Sequence, residues 1–318
     1  MKKISGICFF VLMTCCILTH SSLSLAYAAL GLGLWYEKMV PVLLPFMILS
    51  GTLIRLGLVN GLIRPVKPLF GRIFRLSGPG IYVILMGFLC GFPMGARTIA
   101  DFRNRQELSV AEGQYLLSFC NNLGPVYFLG FVLPLLQRKL VIPYVFGMYG
   151  IPLLYGIFLR YSVYRNRISE KMQDVPENGR LSECSGPVSR GNLPALSLPD
   201  ALDDAITAAG RSILQLGGYM VFFNLLNLLP RLLLPDSFRY APLLEISGGL
   251  KLLGDRFPLY TLLLLPFGGL SCIAQTGSSI RNTGLSLRPY ILHKLILTVL
   301  TAGYYLGWFL VFPDTFLL

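Results

Sequence analysis

Charge is scarce in this chain, and acid is scarcer than base. Only 13% of its 318 residues are charged, where a soluble domain carries about a quarter. Mean hydropathy is +0.65 and 54% of residues are hydrophobic. That balance excludes a water-soluble fold. Several apolar runs reach the roughly 18 residues a helix needs to cross about 30 Å of hydrocarbon. The composition therefore specifies an all-α polytopic membrane protein.

Histidine is nearly missing, with only His20 and His293 present. Cys8, Cys15, Cys16, Cys90, Cys120, Cys184 and Cys272 include no C-x-x-C pair and no metal-ligand spacing. Zinc sites and disulfide frameworks are disfavoured, and no metal or cofactor is expected. The net charge of +12 comes from 27 bases scattered over short loops rather than gathered on one face. Such bases orient a chain in a bilayer; they do not mark a nucleic-acid footprint.

Lys2, Lys3, the apolar run 4–18 and the Ala26-Tyr27-Ala28 triplet imitate a cleavable signal peptide. Residues 1–27 are read as an uncleaved signal-anchor helix with a cytoplasmic start. Residues 28–38 then read as interfacial, with Trp35 and Tyr36 at headgroup level, and 40–59 as a second span. The stretch 60–77 carries Arg64, Lys67, Arg72 and Arg75 and no acid, which places it in the cytoplasm. Residues 80–96 are interrupted by Gly87, Gly91, Pro93 and Gly95 and followed by Arg97, Arg103 and Arg105. Basic flanks at both ends predict a re-entrant hairpin whose irregular backbone is buried in protein or lines a cavity. Residues 112–136 cross outward around an Asn121-Asn122-Leu123-Gly124-Pro125 break, and 141–159 return.

The tract 161–199, rich in Ser, Gly, Pro and both charges, is too polar to fold alone and reads as a cytoplasmic linker. It separates a first repeat, 28–160, from a second, 200–318. In the second, Asp200 is expected to cap an amphipathic entry helix with Ala201, Leu202, Ala205, Ile206 and Ala209 on one face. A span over 213–233, an outer segment over 235–256, an apolar run 259–272 broken at Pro266, Gly268 and Gly269, and a last span 290–312 follow.

Shifting the sequence by 178 positions places Gly91, Ala96, Thr98, Arg103 and Asn104 on the identical residues Gly269, Ala274, Thr276, Arg281 and Asn282. Tyr82 and Leu85 meet Tyr260 and Leu263. With the first hairpin entering from the cytoplasm and the second from outside, the halves are inverted repeats carrying re-entrant hairpins and broken helices. Broken helices free N–H and C=O groups at a depth where lipid cannot satisfy them, so a solute or ion does. The competing reading is that these glycines only permit close helix packing.

Gly91-Phe92-Pro93-Met94-Gly95-Ala96-Arg97 resembles the G-[YF]-P-x-G-[AS]-[KR] signature of sporulation integral membrane proteins carrying the nucleoside-recognition, or gate, domain. Leu117-Ser118-Phe119-Cys120-Asn121-Asn122 resembles that family's L-S-F-x-N. Leu244-Glu245-Ile246-Ser247-Gly248-Gly249 resembles its L-E-x-[ST]-x-G, and Phe267-Gly268-Gly269-Leu270-Ser271 with Gln275 its F-G-G-L-S with a downstream Gln. The resemblance covers 34–312 apart from the linker. The gate domain is distantly similar to the concentrative nucleoside transporters. It implies two repeats whose hairpins carry solute across the bilayer and, for the sporulation branch, that the solute is dipicolinate. The residues alone show polar breaks compatible with an anion.

Substrate contacts are expected from Gly91, Pro93, Gly95 and Arg97 of the first hairpin, from Asn121 and Asn122, from Glu245 and Ser247, and from Gly268, Gly269, Ser271 and Gln275. Glu245, between apolar neighbours, reads as a buried carboxylate able to hold a proton or cation; the alternative is an outer-loop pair with Lys251. Asn121 and Asn122 offer amides to a solute or else bond the backbone freed by the break. Ser271 with His293 resembles half of an intramembrane serine-protease motif but lacks its second glycine, so no catalytic residue is assigned. The implied partners are a small anionic or nucleoside-like solute, the lipid bilayer and a coupling H+ or Na+, with no nucleic acid. Oligomeric state is not fixed by the sequence. A sporulation scaffold that transports nothing is the alternative function.

Overall fold

In a computed structural model, the described residues are 2–137, 142–169 and 197–313. Most of the linker, Cys184 included, lies outside them. Among the described residues every regular element is a helix, and five helical stretches are long and apolar enough to cross a membrane. A bent pair makes a sixth if counted as one.

Helix α1 (Lys2–Thr19) ends at His20. Helix α2 (Ser21–Leu34), a π-turn over Trp35–Met39, and α3 (Val40–Arg55) then run on as one 35-residue stretch. The expected interfacial segment 28–38 is thus helical throughout, and no helix boundary falls at residue 27. Nothing in the Leu, Ala and Gly sequence around residue 27 stops a helix there; Pro41 comes just after the π-turn and Pro45 lies inside α3. The Trp35 indole N–H donates to Ile213 O at 2.8 Å.

Two short helices, α4 (Val59–Ile63) and α5 (Lys67–Phe74), lead into α6 (Gly78–Cys90), with a bend of 100° between α5 and α6. Ser77 caps α6, accepting from Gly80 N at 3.2 Å. Its own N–H and hydroxyl both donate to the buried Glu112 carboxylate at 2.8 Å. After Gly91-Phe92-Pro93, α7 (Met94–Asn104) folds back along α6: a Cβ added at Gly87 or at Gly95 would strike the same atom, Cys120 O. This is the expected hairpin. Helix α8 (Val110–Leu117) follows, then a non-helical stretch, α9 (Pro125–Tyr127), a π-turn (Phe128–Val132) and α10 (Leu133–Leu135). Helices α11 (Ile142–Val145), α12 (Ile151–Tyr161, entered through a π-turn at Phe146–Gly150) and α13 (Arg165–Ser169) complete the first half.

Helix α14 (Leu198–Leu226) and α15 (Leu228–Leu233) form a 36-residue stretch. Its cap is Ser197 rather than Asp200. Ser197 is extended, and its Oγ accepts from Asp200 N at 3.3 Å while donating to the Asp200 carboxylate at 2.5 Å, with Pro199 in the first turn. Short helices α16 (Ala241–Leu244) and α17 (Ile246–Leu253) precede α18 (Pro258–Leu264) and α19 (Gly269–Ser279). The second apolar run differs from the expected hairpin: Pro258–Ser279 forms one 22-residue membrane-crossing candidate, interrupted between Leu264 and Gly269. Helix α20 (Leu287–Val311) is unbroken.

The segments related by the 178-position shift pack on each other. Gly31 meets Met220 and Val221, Trp35 meets Ile213 and Gly217, and Gly51 meets Ala205. As one number rises the other falls, so α2–α3 and α14 lie antiparallel. Arg103 of α7 donates to Thr283 O at 3.1 Å, just beyond α19.

Candidate functional site

Residues 118–124 carry no helix. Asn121 and Asn122 compete with the backbone for hydrogen bonds, and Pro125 lacks an N–H and disfavours helix at Gly124. The hairpin turn fills this gap. Gly91 adopts φ +77°, and a Cβ there would meet Gly124 N and Asn122 O; a bulkier residue is excluded by both backbone and space. Phe92 N–H donates to Asn122 O at 2.6 Å. Asn121 Oδ1 accepts from Ala96 N at 3.4 Å, and its Nδ2 donates to Thr276 Oγ1 at 2.8 Å and Tyr290 OH at 3.1 Å. One amide thus joins the hairpin, α19 and α20.

The same break receives a cation. Lys294 of α20 is 2% exposed, and its Nζ donates to Asn121 O at 2.7 Å and Asn122 Oδ1 at 3.3 Å. Nζ also lies 5.7 Å from the centroid of the Phe92 ring.

Glu245 stands at a second break, between α16 and α17. It is extended at φ −139°, ψ 118° and caps α17. Its carboxylate accepts from Ser247 N at 3.2 Å, Gly248 N at 2.6 Å and Asn224 Nδ2 at 3.0 Å, and the residue is 2% exposed. The outer-loop pairing with Lys251 is not formed: the charge rests on helix N–H groups and an amide. Ser247 Oγ accepts from Tyr127 OH at 2.9 Å. Gly269, at φ +81°, brings the start of α19 against Pro242 O and Leu244 O of this break.

Two cavities meet at Gln275 and Leu216, which line both. The smaller, about 40 Å³, lies beside Glu245, Ser247, Tyr127 and Phe92. The larger, about 330 Å³, is walled by Arg97, Asp101, Arg211, Gln215 and Ser278; Arg211 and Gln215 are exposed, so it communicates with the outside. Arg97 is held by Ala208 O at 3.1 Å and by Asp101 at 3.9 Å. Gln275 Nε2 donates to Ser271 Oγ at 2.9 Å, and its Oε1 has no hydrogen-bond partner among the described residues.

Of the residues singled out in the sequence, Pro93, Arg97 and Gln275 therefore share the larger cavity, and Glu245, Ser247 and Gln275 the smaller. Asn121 and Asn122 hold the first break. Gly91, Gly95 and Gly269 shape backbone packing; Gly268 takes φ +75° beside the Phe92 ring; Ser271 is buried under Gln275. Lys294, Arg211, Gln215, Asn224 and Tyr127 were not foreseen. Only Lys294 carried a signal, as a lone base inside the apolar run 290–312.

Residues 37–134, from the π-turn after α2 to α10, match the family described as Gate, nucleoside recognition. The Gate segment contains the hairpin and the Asn121-Asn122 break, whereas Glu245 and Lys294 lie beyond it. Over 324 aligned residues the chain is 26% identical to the sporulation integral membrane protein YlbJ of Bacillus subtilis (strain 168), covering 92% of this chain and 79% of the relative. No solved structure matches it. With its apolar helices, the chain is a multi-pass integral membrane protein.

Proposed function

We propose that the protein moves a small anionic metabolite across a membrane during spore formation, that the solute is dipicolinate, and that the membrane is the mother-cell-derived one around the developing spore. The observation that carries this reading is the 330 Å³ cavity, with Arg97 and Arg211 in its wall, which reaches inward to Pro93 of the hairpin turn and to Gln275. Its volume lies in the range of small-molecule pockets, about 300–1,000 Å³. Two guanidinium groups against one carboxylate, Asp101, favour an anion. With the basic loops in the cytoplasm, this cavity faces the side on which the solute is made.

The antiparallel packing of α2–α3 on α14 supports two inverted repeats, since an axis in the membrane plane reverses the direction of equivalent helices. No Ser271–His293 hydrogen bond supports the peptidase alternative: His293 Nδ1 is 2.6 Å from Tyr155 OH, and Ser271 Oγ accepts from Gln275 Nε2 at 2.9 Å. The test is uptake of labelled dipicolinate, and separately of nucleosides, into vesicles containing the purified protein beside empty vesicles. Dipicolinate uptake above the empty control is expected. Nucleoside uptake alone reassigns the solute, and uptake of neither leaves the scaffold reading.

A further inference from the structure

Burying an ammonium in the apolar part of a membrane protein is costly unless other groups replace its water. A carboxylate is the usual partner, yet among the described residues no ion pair within 4.0 Å involves Lys294. What surrounds Nζ instead is a carbonyl oxygen (Asn121 O), an amide oxygen (Asn122 Oδ1) and an aromatic face (Phe92). Asn122 is oriented for the purpose, because its Nδ2 donates to Phe119 O at 2.5 Å and so turns Oδ1 toward the ammonium. Asn121 O is available because the helix is broken there, just past the carbonyl end of α8. Neutral oxygens at an unwound helix and a π-face are the donor set that takes a desolvated monovalent cation. All of it is supplied by other elements; α20 supplies only the charge.

We propose that the Asn121–Asn122 break is a monovalent-cation site permanently occupied by the Lys294 ammonium as a tethered ion. Vacating it creates a site that takes a free cation from solution. A second consequence rests on the transport reading above: with this site filled by the tethered ammonium, solute movement by the native protein does not draw on a sodium gradient.

The first claim is tested without any solute. Wild type, Lys294→Ala and Lys294→Thr are purified in detergent, and thermal midpoints are recorded in choline chloride with increasing NaCl, KCl or methylammonium chloride at constant ionic strength. Both variants are expected to melt below wild type in choline and to recover by a saturable shift of roughly 5 °C in at least one small cation. Wild type should be indifferent to the exchange. Lys294→Met, whose thioether chain fills the space without charge, should melt low and stay low. Variants that fold but respond to no cation, a wild type that responds as they do, or recovery of neither variant in any of the salts overturns the proposal. Uptake by wild type in sodium, potassium and choline media then reads the second claim: equal rates are expected, and a sodium requirement overturns that claim alone. Absence of any uptake refutes the transport reading and leaves the melting result standing.

Discussion

Glu245 and Lys294 carry opposite charges, each only 2% exposed, and they do not pair with each other. Each is held by the broken end of a different helix: the acid by free N–H groups, the base by a free carbonyl. Replacing Glu245 by Gln keeps the shape and one accepting oxygen but removes ionisation and turns an NH2 toward the α17 start. An unsatisfied buried donor costs about 1–3 kcal/mol, whereas losing an exposed ion pair costs under about 1 kcal/mol. Glu245→Gln is expected to abolish dipicolinate uptake across the pH range while immunoblots of membrane fractions show most of the protein retained. Wild-type uptake with an unchanged pH profile would remove Glu245 from the site. The burial of Glu245 was legible because apolar residues flank it on both sides. Lys294 carried the same kind of signal, a lone base in an apolar run, but its oxygen partners did not, because they lie 172 and 173 positions earlier in the chain.

At the level of helices, sequence marks where a helix stops better than it marks the angle at which the chain resumes. Glycine and proline placed the interruptions near Gly91, Gly124 and Gly268, and helix ends fall at all three. The first interruption reverses the chain and the second does not, because Gly87 and Gly95 let α6 and α7 share contact with Cys120 O, while the second apolar run shows no such shared contact. The start of α14 was misplaced by three residues for a local reason: Ser197 and Asp200 both cap well, and the chain uses them together. A methyl group at Gly91 would meet backbone atoms of Gly124 and Asn122 at a φ that side chains avoid. Gly91→Ala should therefore lower the thermal midpoint by several degrees and abolish uptake. Gly61→Ala, with open space around its Cβ, should do neither. Equal behaviour of the two variants would show that the close approach at Gly91 is dispensable.

For the molecule as a whole, orientation is expected to follow from where bases lie, and the basic stretches beside the hairpin predict a linker on the cytoplasmic side. After Cys8, Cys15 and Cys16 are replaced by Ser, a membrane-impermeant thiol reagent should miss Cys184 in intact cells and modify it after permeabilisation; Cys90, Cys120 and Cys272 are buried. Modification in intact cells would invert the orientation. The all-helical membrane architecture was legible from composition. The packing of the two long helices was not, because the carbonyl partner of Trp35 on α14 lies 178 positions away. That packing also equips the protein optically. Trp35 and Trp308 are its only tryptophans, so Trp308→Phe leaves one fluorophore whose N–H is bound to the other half of the chain. Sliding of one half past the other that breaks this bond would change the colour of the emitted light, a label-free measurement of the motion that the transport reading requires.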